Sequence, residues 1–179
     1  MDELGFELKI PKERIAVLIG KNGKQRKEIE TATNTEINID SKEGDVFIKG
    51  KDGLDIYTAK EIILAVGRGF NPELAMLLLK VDYAFELISI ADHAKSKESQ
   101  LRLKGRIIGK EGKTRKLIED LTNTNISVFG KTASIIGRND MVLIAKKAID
   151  MLIEGSTHAT VYKWLEKQRR QVKNEEVEW

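Results

Sequence analysis

One stretch of this chain is written twice, and that repetition limits the fold more than any other feature. Residues Ile19 to Ile37 recur as Ile108 to Ile126, and the leading glycines of the two copies, Gly20 and Gly109, lie 89 positions apart. Each copy holds two glycines with two residues between them (Gly20 and Gly23; Gly109 and Gly112). A lysine sits inside each pair (Lys21; Lys110), and a basic cluster follows directly. A long repeat present only twice reads as duplicated domains, because a solenoid needs three or more units. The 179 residues suffice for two small domains that each bury a core.

Composition narrows the setting. Hydrophobic residues make up 41% and charged residues 33%, the balance of a soluble, heavily charged globular protein. The longest apolar runs, such as Ala75 to Leu79, are far too short to span a bilayer, so no membrane partner is expected. The absence of cysteine excludes disulfides and thiolate metal sites and favours an intracellular compartment. Met1 to Gly5 shows no basic region followed by an apolar core, so no secretory signal is read there and a cytoplasmic location is expected. Charge is uneven along the chain. Residues 1–80 carry 13 Lys and Arg against 14 Asp and Glu; residues 81–179 carry 18 against 14. The second half is the better polyanion binder.

The periodicity gives the same element order in both halves. Phe6, Leu8 and Ile10 alternate with charged residues as a half-buried strand stopped by Pro11. Ile15, Leu18 and Ile19 mark a short amphipathic helix ending at Gly20. A second helix follows from Lys24 to Thr33, with Ile29 and Ala32 inward. Strands at Glu36–Asp40 and Val46–Ile48 and a helix from Leu54 to Val66, closed by Gly67 and Gly69, complete the set. The second half reads as strand Phe85–Ile90, a polar loop Ala91–Ser99, helices Gln100–Ile108 and Lys113–Thr122, strands Asn125–Phe129 and Ala133–Ile136, and helix Met141–Leu152. Between the halves, Asn71 and Pro72 open a short helix, Glu73–Leu79, expected to pack one domain against the other. From Val161 the chain is helical in character, but beyond Glu166 it is mostly charged and polar and is expected to fray.

Glycines ahead of a helix make a loop whose bare backbone can approach a phosphate, with unpaired amides and the positive end of the helix dipole behind it. Strand, helix, GxxG, helix, strand, strand, helix resembles the KH domain. The resemblance implies an α+β fold of two tandem type I KH domains, each βααββα, with a three-stranded sheet packed against three helices. The expected divisions are residues 1–70 for the first domain, 71–81 for a linker helix, 82–160 for the second domain and 161–179 for a charged C-terminal helix or tail. KH domains hold about four nucleotides of single strand, with the backbone on the GxxG loop and base edges over an apolar floor. Candidate floor residues are Ile19, Ile29, Ile37 and Ile39 in the first copy and Ile108, Ile118, Ile126 and Val128 in the second. The RNA-binding residues expected are Gly20, Lys21, Asn22, Gly23, Lys24, Arg26 and Lys27, with Arg106, Ile108, Gly109, Lys110, Glu111, Gly112, Lys113, Arg115, Lys116 and Ile126. The window Arg102 to Lys116 holds seven basic residues and one acid; Lys12 to Lys27 holds six and one. The second loop is therefore expected to be the main grip, although Glu111 faces the phosphate path.

Other chemistries are poorly supported. Gly112, Lys113 and Thr114 imitate the end of a P-loop, but Ile107 stands where that motif needs its first glycine. His93 and His158, the only histidines, have no carboxylate and serine context and are expected at the surface. No nucleophile and base pairing and no metal-ligand spacing is found, so no enzyme, cofactor or metal is expected. Aromatic residues make up 6%, with no run like the RRM strand motif.

Within the KH proteins the likeness narrows. Typical members place an aliphatic residue three positions after the second glycine; Arg26 and Arg115 stand there instead. That departure, the run Gly109 to Thr124 and the linker Ala65 to Ala75 resemble the KRR / partner-of-Nob family, over about Gly5 to Tyr162. Two intact GxxG loops and the compact length resemble its archaeal members. The resemblance implies a small-subunit ribosome assembly factor that binds near the 3′ end of small-subunit ribosomal RNA, beside a PIN-domain endonuclease or a translation initiation factor. The alternatives are a KH-fold protein-interaction scaffold or a translation-linked RNA-binding adaptor.

Overall fold

The structure, a computed structural model, describes residues 4–177. It divides into two compact units, residues 1–83 and 84–179. The first unit holds β1 (Leu4–Lys9), α1 (Lys12–Ile19), α2 (Lys24–Thr33), β2 (Glu36–Ile39), β3 (Asp45–Gly50), α3 (Gly53–Gly67) and the short α4 (Pro72–Ala75). The second holds β4 (Tyr83–Ser89), starting one residue before the boundary, then α5 (Ile90–His93), α6 (Lys97–Ile108), α7 (Lys113–Thr122), β5 (Asn125–Phe129), β6 (Thr132–Arg138), α8 (Asn139–Ile153) and α9 (His158–Val177). Each unit has a three-stranded sheet, ordered β1-β3-β2 and β4-β6-β5, so the strand that comes last in sequence lies in the middle. The sheets are antiparallel, with Ile37 opposite Ile48 in the first and Ile126 opposite Ile135 in the second.

The helices pack on each sheet through its inward side chains; β6 is buried along both rows from Thr132 to Gly137, whereas Phe6 of β1 is exposed. In the first unit Val46, Ile48 and Ile37 on the sheet and Leu18, Ile29, Ile62 and Ile63 on the helices are essentially without solvent contact, with α3 packed on β3 and α2 on β2. In the second, Ile126 and Ile135 meet Ile107, Ile118, Ile149 and Leu152. The repeated Thr-Asn-Thr phrase ends the middle helix of each unit. Asn34 and Asn123 take left-handed φ of 49° and 48°, a conformation asparagine tolerates better than most residues. The flanking threonines are buried and bond each other at 2.8 Å, Thr33 to Thr35 and Thr122 to Thr124.

Several expectations need correction. Ala32 is exposed; Ile29 and Thr33 are the residues of α2 that face inward. The polar stretch Ala91–Ser99 is not all loop. Ser89 caps α5 by accepting from Asp92 N–H, and Ser96 caps α6 by accepting from Ser99 N–H, the role short hydroxyl side chains play at helix starts. The short α4 packs on α3 of its own unit. The charged C-terminal stretch does not fray within the described residues. It is helical to Val177 and packs on α7 and α8 through Val161 and Leu165.

Candidate nucleic-acid interface

The two loops have the same geometry. Gly20 N–H donates to Ala16 O at 2.9 Å, ending α1, and Gly109 N–H donates to Gly105 O at 2.8 Å, ending α6. Both glycines sit near φ 70° and ψ 174° (71° and 74° in φ), a region that is essentially glycine-only. One 3₁₀ turn follows, Lys21–Gly23 or Lys110–Gly112, closed by Gly23 N–H to Gly20 O at 3.1 Å and by Gly112 N–H to Gly109 O at 3.2 Å. Asn22 and Glu111 are left-handed, both with φ of 54°, and so are Gly23 and Gly112. The next helix begins at the lysine directly after.

The two glycines of each pair serve different ends. A Cβ on Gly109 would lie 2.2 Å from Thr114 Oγ1, while one on Gly112 would meet nothing within 4 Å. The first glycine lets the loop fold down onto the following helix. The second keeps its outer surface bare.

The starts of α2 and α7 are built for an anion. No side chain caps either helix, and neither first turn contains an acidic residue. The first amides of a helix have no carbonyl behind them, and the dipole adds partial positive charge there. Lys21, Lys24 and Lys27 are exposed around the first loop; Lys110, Lys113 and Lys116 are exposed around the second. The two sets differ in partners. Lys24 Nζ lies 3.7 Å from Glu28; the second copy has Leu117 at the matching position. Among the described residues, Lys110, Lys113 and Lys116 make no ion pair. The second loop therefore presents one more unpaired lysine than the first, with Glu111 exposed beside it.

Four expected site residues are engaged inside the fold. Arg106 donates through Nε to Leu152 O at 3.0 Å and through Nη2 to Ser156 O. It ties α6 to the end of α8 and does not face the loop. Arg14, one turn earlier on α1, bonds Val66 O and Phe70 O at 2.8 Å each. Burial pulls the pKa of Arg14 below the ordinary guanidinium value, with nearby Glu13 opposing. Carbonyls at a helix end lack intrahelical donors, which a forked guanidinium supplies. An Arg106→Leu variant should lose about 3 kcal/mol of stability, since hydrogen bonds to charged groups each contribute about 1.5–3 kcal/mol. Urea denaturation measures that loss, and RNA affinity of the folded variant should stay at the parent value.

Arg115 is also held, by Glu119 at 3.1 Å, and Glu119 accepts from Ile126 N–H at 2.7 Å. Arg26 pairs more loosely with Glu30 at 3.8 Å, and Glu30 accepts from Ile37 N–H at 2.7 Å. Each Arg and Glu pair fastens the middle helix to the edge strand, β5 or β2. That explains why arginine replaces the aliphatic residue usual at this position. Ile126 is 4% exposed and belongs to the core, as do Ile29, Ile37 and Ile118. The half-buried Ile19, Ile39, Ile108 and Val128 remain as floor residues a base could touch.

Residues of α9 also border the second loop. Thr114, 3% exposed, shares a 2.8 Å hydrogen bond with Tyr162 of α9. His158 is half-buried, not a surface residue, with Nε2 2.9 Å from Arg106 O. His93 is exposed. Among the described residues no cluster of histidine and carboxylates could hold a metal ion, and no helix is long and apolar enough to cross a membrane.

Comparison with known proteins finds relatives of the same fold. A family profile described as the eukaryotic type KH domain, type I, matches residues 84–170, and a KH-domain profile matches residues 5–65. A KH domain-containing protein of Methanocaldococcus jannaschii is 48% identical over 175 residues, covering 96% of this chain and 77% of that protein. The RNA-binding protein pno-1 of Caenorhabditis elegans is 33% identical over 115 residues, 63% of this chain; the match spans only 42% of that longer protein. Among solved structures, Dim2p of Pyrococcus horikoshii superposes with a TM-score of 0.84 at 45% identity, covering 92% of this chain and 99% of that one. A chain in the a/eIF2alpha–aDim2p–rRNA complex of the same organism gives 0.88 at 44% identity, covering 94% and 96%.

Proposed function

This chain belongs to the PNO1/Dim2 family of tandem KH-domain proteins, non-enzymatic RNA-binding proteins of pre-rRNA processing, and from that premise we propose that it holds single-stranded RNA near the 3′ end of small-subunit rRNA through its GxxG loops. The observation that carries this reading is the uncapped start of α7 behind Gly109–Gly112, with Lys110, Lys113 and Lys116 exposed and without ion pairs among the described residues. Phosphate oxygens would accept from the loop amides, the lysines would neutralise adjacent phosphates, and bases would lie over Ile108 and Val128. The first loop, with Gly20, Lys21, Asn22, Gly23 and Lys27, offers a weaker version of the same site because Lys24 already faces Glu28. The P. horikoshii complex that joins aDim2p with a/eIF2alpha and rRNA supports a translation initiation factor as a protein partner for this chain too. The PIN-domain endonuclease rests on the family resemblance. The expected setting is the cytoplasm.

Fluorescence anisotropy with a single strand copying the rRNA 3′ end tests the reading. Binding should weaken with salt at a log–log slope of about −0.7 per phosphate neutralised. Equal affinity for a duplex of that sequence would overturn it.

A further inference from the structure

Helix α9 has no counterpart in the first unit, where α3 is followed by the short α4 and a 3₁₀ turn. It starts at the base of the second glycine loop, where His158 meets Arg106 O at the end of α6 and Tyr162 meets Thr114 in the first turn of α7. Farther along, Arg169, Val172 and Lys173 border a cleft of about 380 Å³ with Asp120 to Asn123, at the far end of α7. α9 therefore runs beside α7 from the loop to beyond its last turn.

The helix has two distinct faces. Val161 and Leu165, four apart, are 0% and 1% exposed and hold it to the core. Lys163, Lys167 and Arg170, at helical spacing, lie on the opposite face and are exposed. Among the described residues none of the three has an ion pair. Between Lys163 and Asn174 there are five basic residues and a single acid, Glu166.

We propose that this outer face of α9 is a second phosphate track, occupied by nucleotides of the same RNA strand that continue past those held over the glycine loop. The proposal rests on the RNA-binding reading of that loop. Charge and continuity select the occupant. Three cations spread over about 10 Å of helix suit a linear polyanion better than a single anion. The residues lining a hollow of about 490 Å³ along this face are Lys163, Glu166, Lys167, Arg170, Gln171 and Asn174. None is an aromatic or aliphatic anchor of the kind a protein partner would bury.

The test compares a strand of about five nucleotides, just longer than the roughly four a KH groove holds, with a strand about three times longer that contains it. Both are titrated into the full chain and into a K163Q/K167Q/R170Q variant. For the long strand, affinity should fall by about tenfold and the log–log salt slope should become shallower by about 2, or 0.7 for each of three phosphates. Affinity for the short strand should not change. An unchanged long-strand affinity overturns the track and leaves the loop reading standing. An equal loss for both strands also overturns it, because the cations would then act at the loop. If neither strand binds the parent chain, the loop reading itself fails. The substituted side chains point away from the core, so the melting temperature should hold. Should it drop, the single change Lys167→Glu serves for the same comparison.

Discussion

A K110D/E111D variant is expected to lose about two orders of magnitude in affinity for single-stranded RNA while melting within about 2 °C of the parent. A loss of that size corresponds to about 2.7 kcal/mol of binding free energy. It is expected because the change removes a cation and adds an anion where the uncapped amides of α7 await a phosphate. Stability should hold because both side chains are exposed and make no ion pair among the described residues. Residue 111 is left-handed, with φ of 54°, and aspartate tolerates that region better than glutamate does. Anisotropy titration and a thermal melt measure the two quantities. The matching change at Lys21 and Asn22 should cost less, since Lys24 beside that loop is already partly neutralised by Glu28.

The glycine pair predicts a second large effect, on folding. Gly109→Ala should destabilise the chain by about 3 kcal/mol, combining a backbone region that costs about 1–3 kcal/mol for other residues with overpacking. The new Cβ would lie 2.2 Å from Thr114 Oγ1 and 2.8 Å from Thr114 N. Thr114 is the residue Tyr162 bonds, so the strain reaches α9 as well. Gly112→Ala should cost only about 1 kcal/mol, the left-handed penalty, because nothing lies within 4 Å. Its effect should appear in RNA affinity. Urea denaturation of the two variants gives the comparison, and equal stability losses would contradict the division of roles between the glycines.

The parts of the fold that repeat were legible in the sequence. The bounds of α2 and α7 follow from the glycine pair in front and the Thr-Asn-Thr phrase behind, two signals with a direct backbone cause. Arg106 was not legible. It stands in a run of cations, and nothing local distinguishes a guanidinium that caps carbonyls 46 and 50 residues later from one that faces solvent. Comparing the copies does not help, because Arg14 does the same work from a position one turn earlier on its helix. Ile126 reads from the sequence as a groove-floor residue because alternation gives a strand's inner row but not whether helices cover it. The start of α9 is legible as helix from Val161; its charge hides the continuation beyond Glu166, although Val161, Leu165, Gln168 and Val172 form a stripe at helical spacing. The exposed lysines of the two loops were found because they sit inside a motif whose geometry explains them.

The central claim is that the amides and lysines of Gly109 to Lys116 hold the backbone of an unpaired RNA strand. The most direct test follows the backbone amide resonances of the isotope-labelled chain while a single strand of the small-subunit rRNA 3′ end is added. The largest shifts are predicted at Lys110, Glu111, Gly112 and Lys113, with smaller ones along β5. Saturated binding that leaves those four amides unmoved would contradict the account.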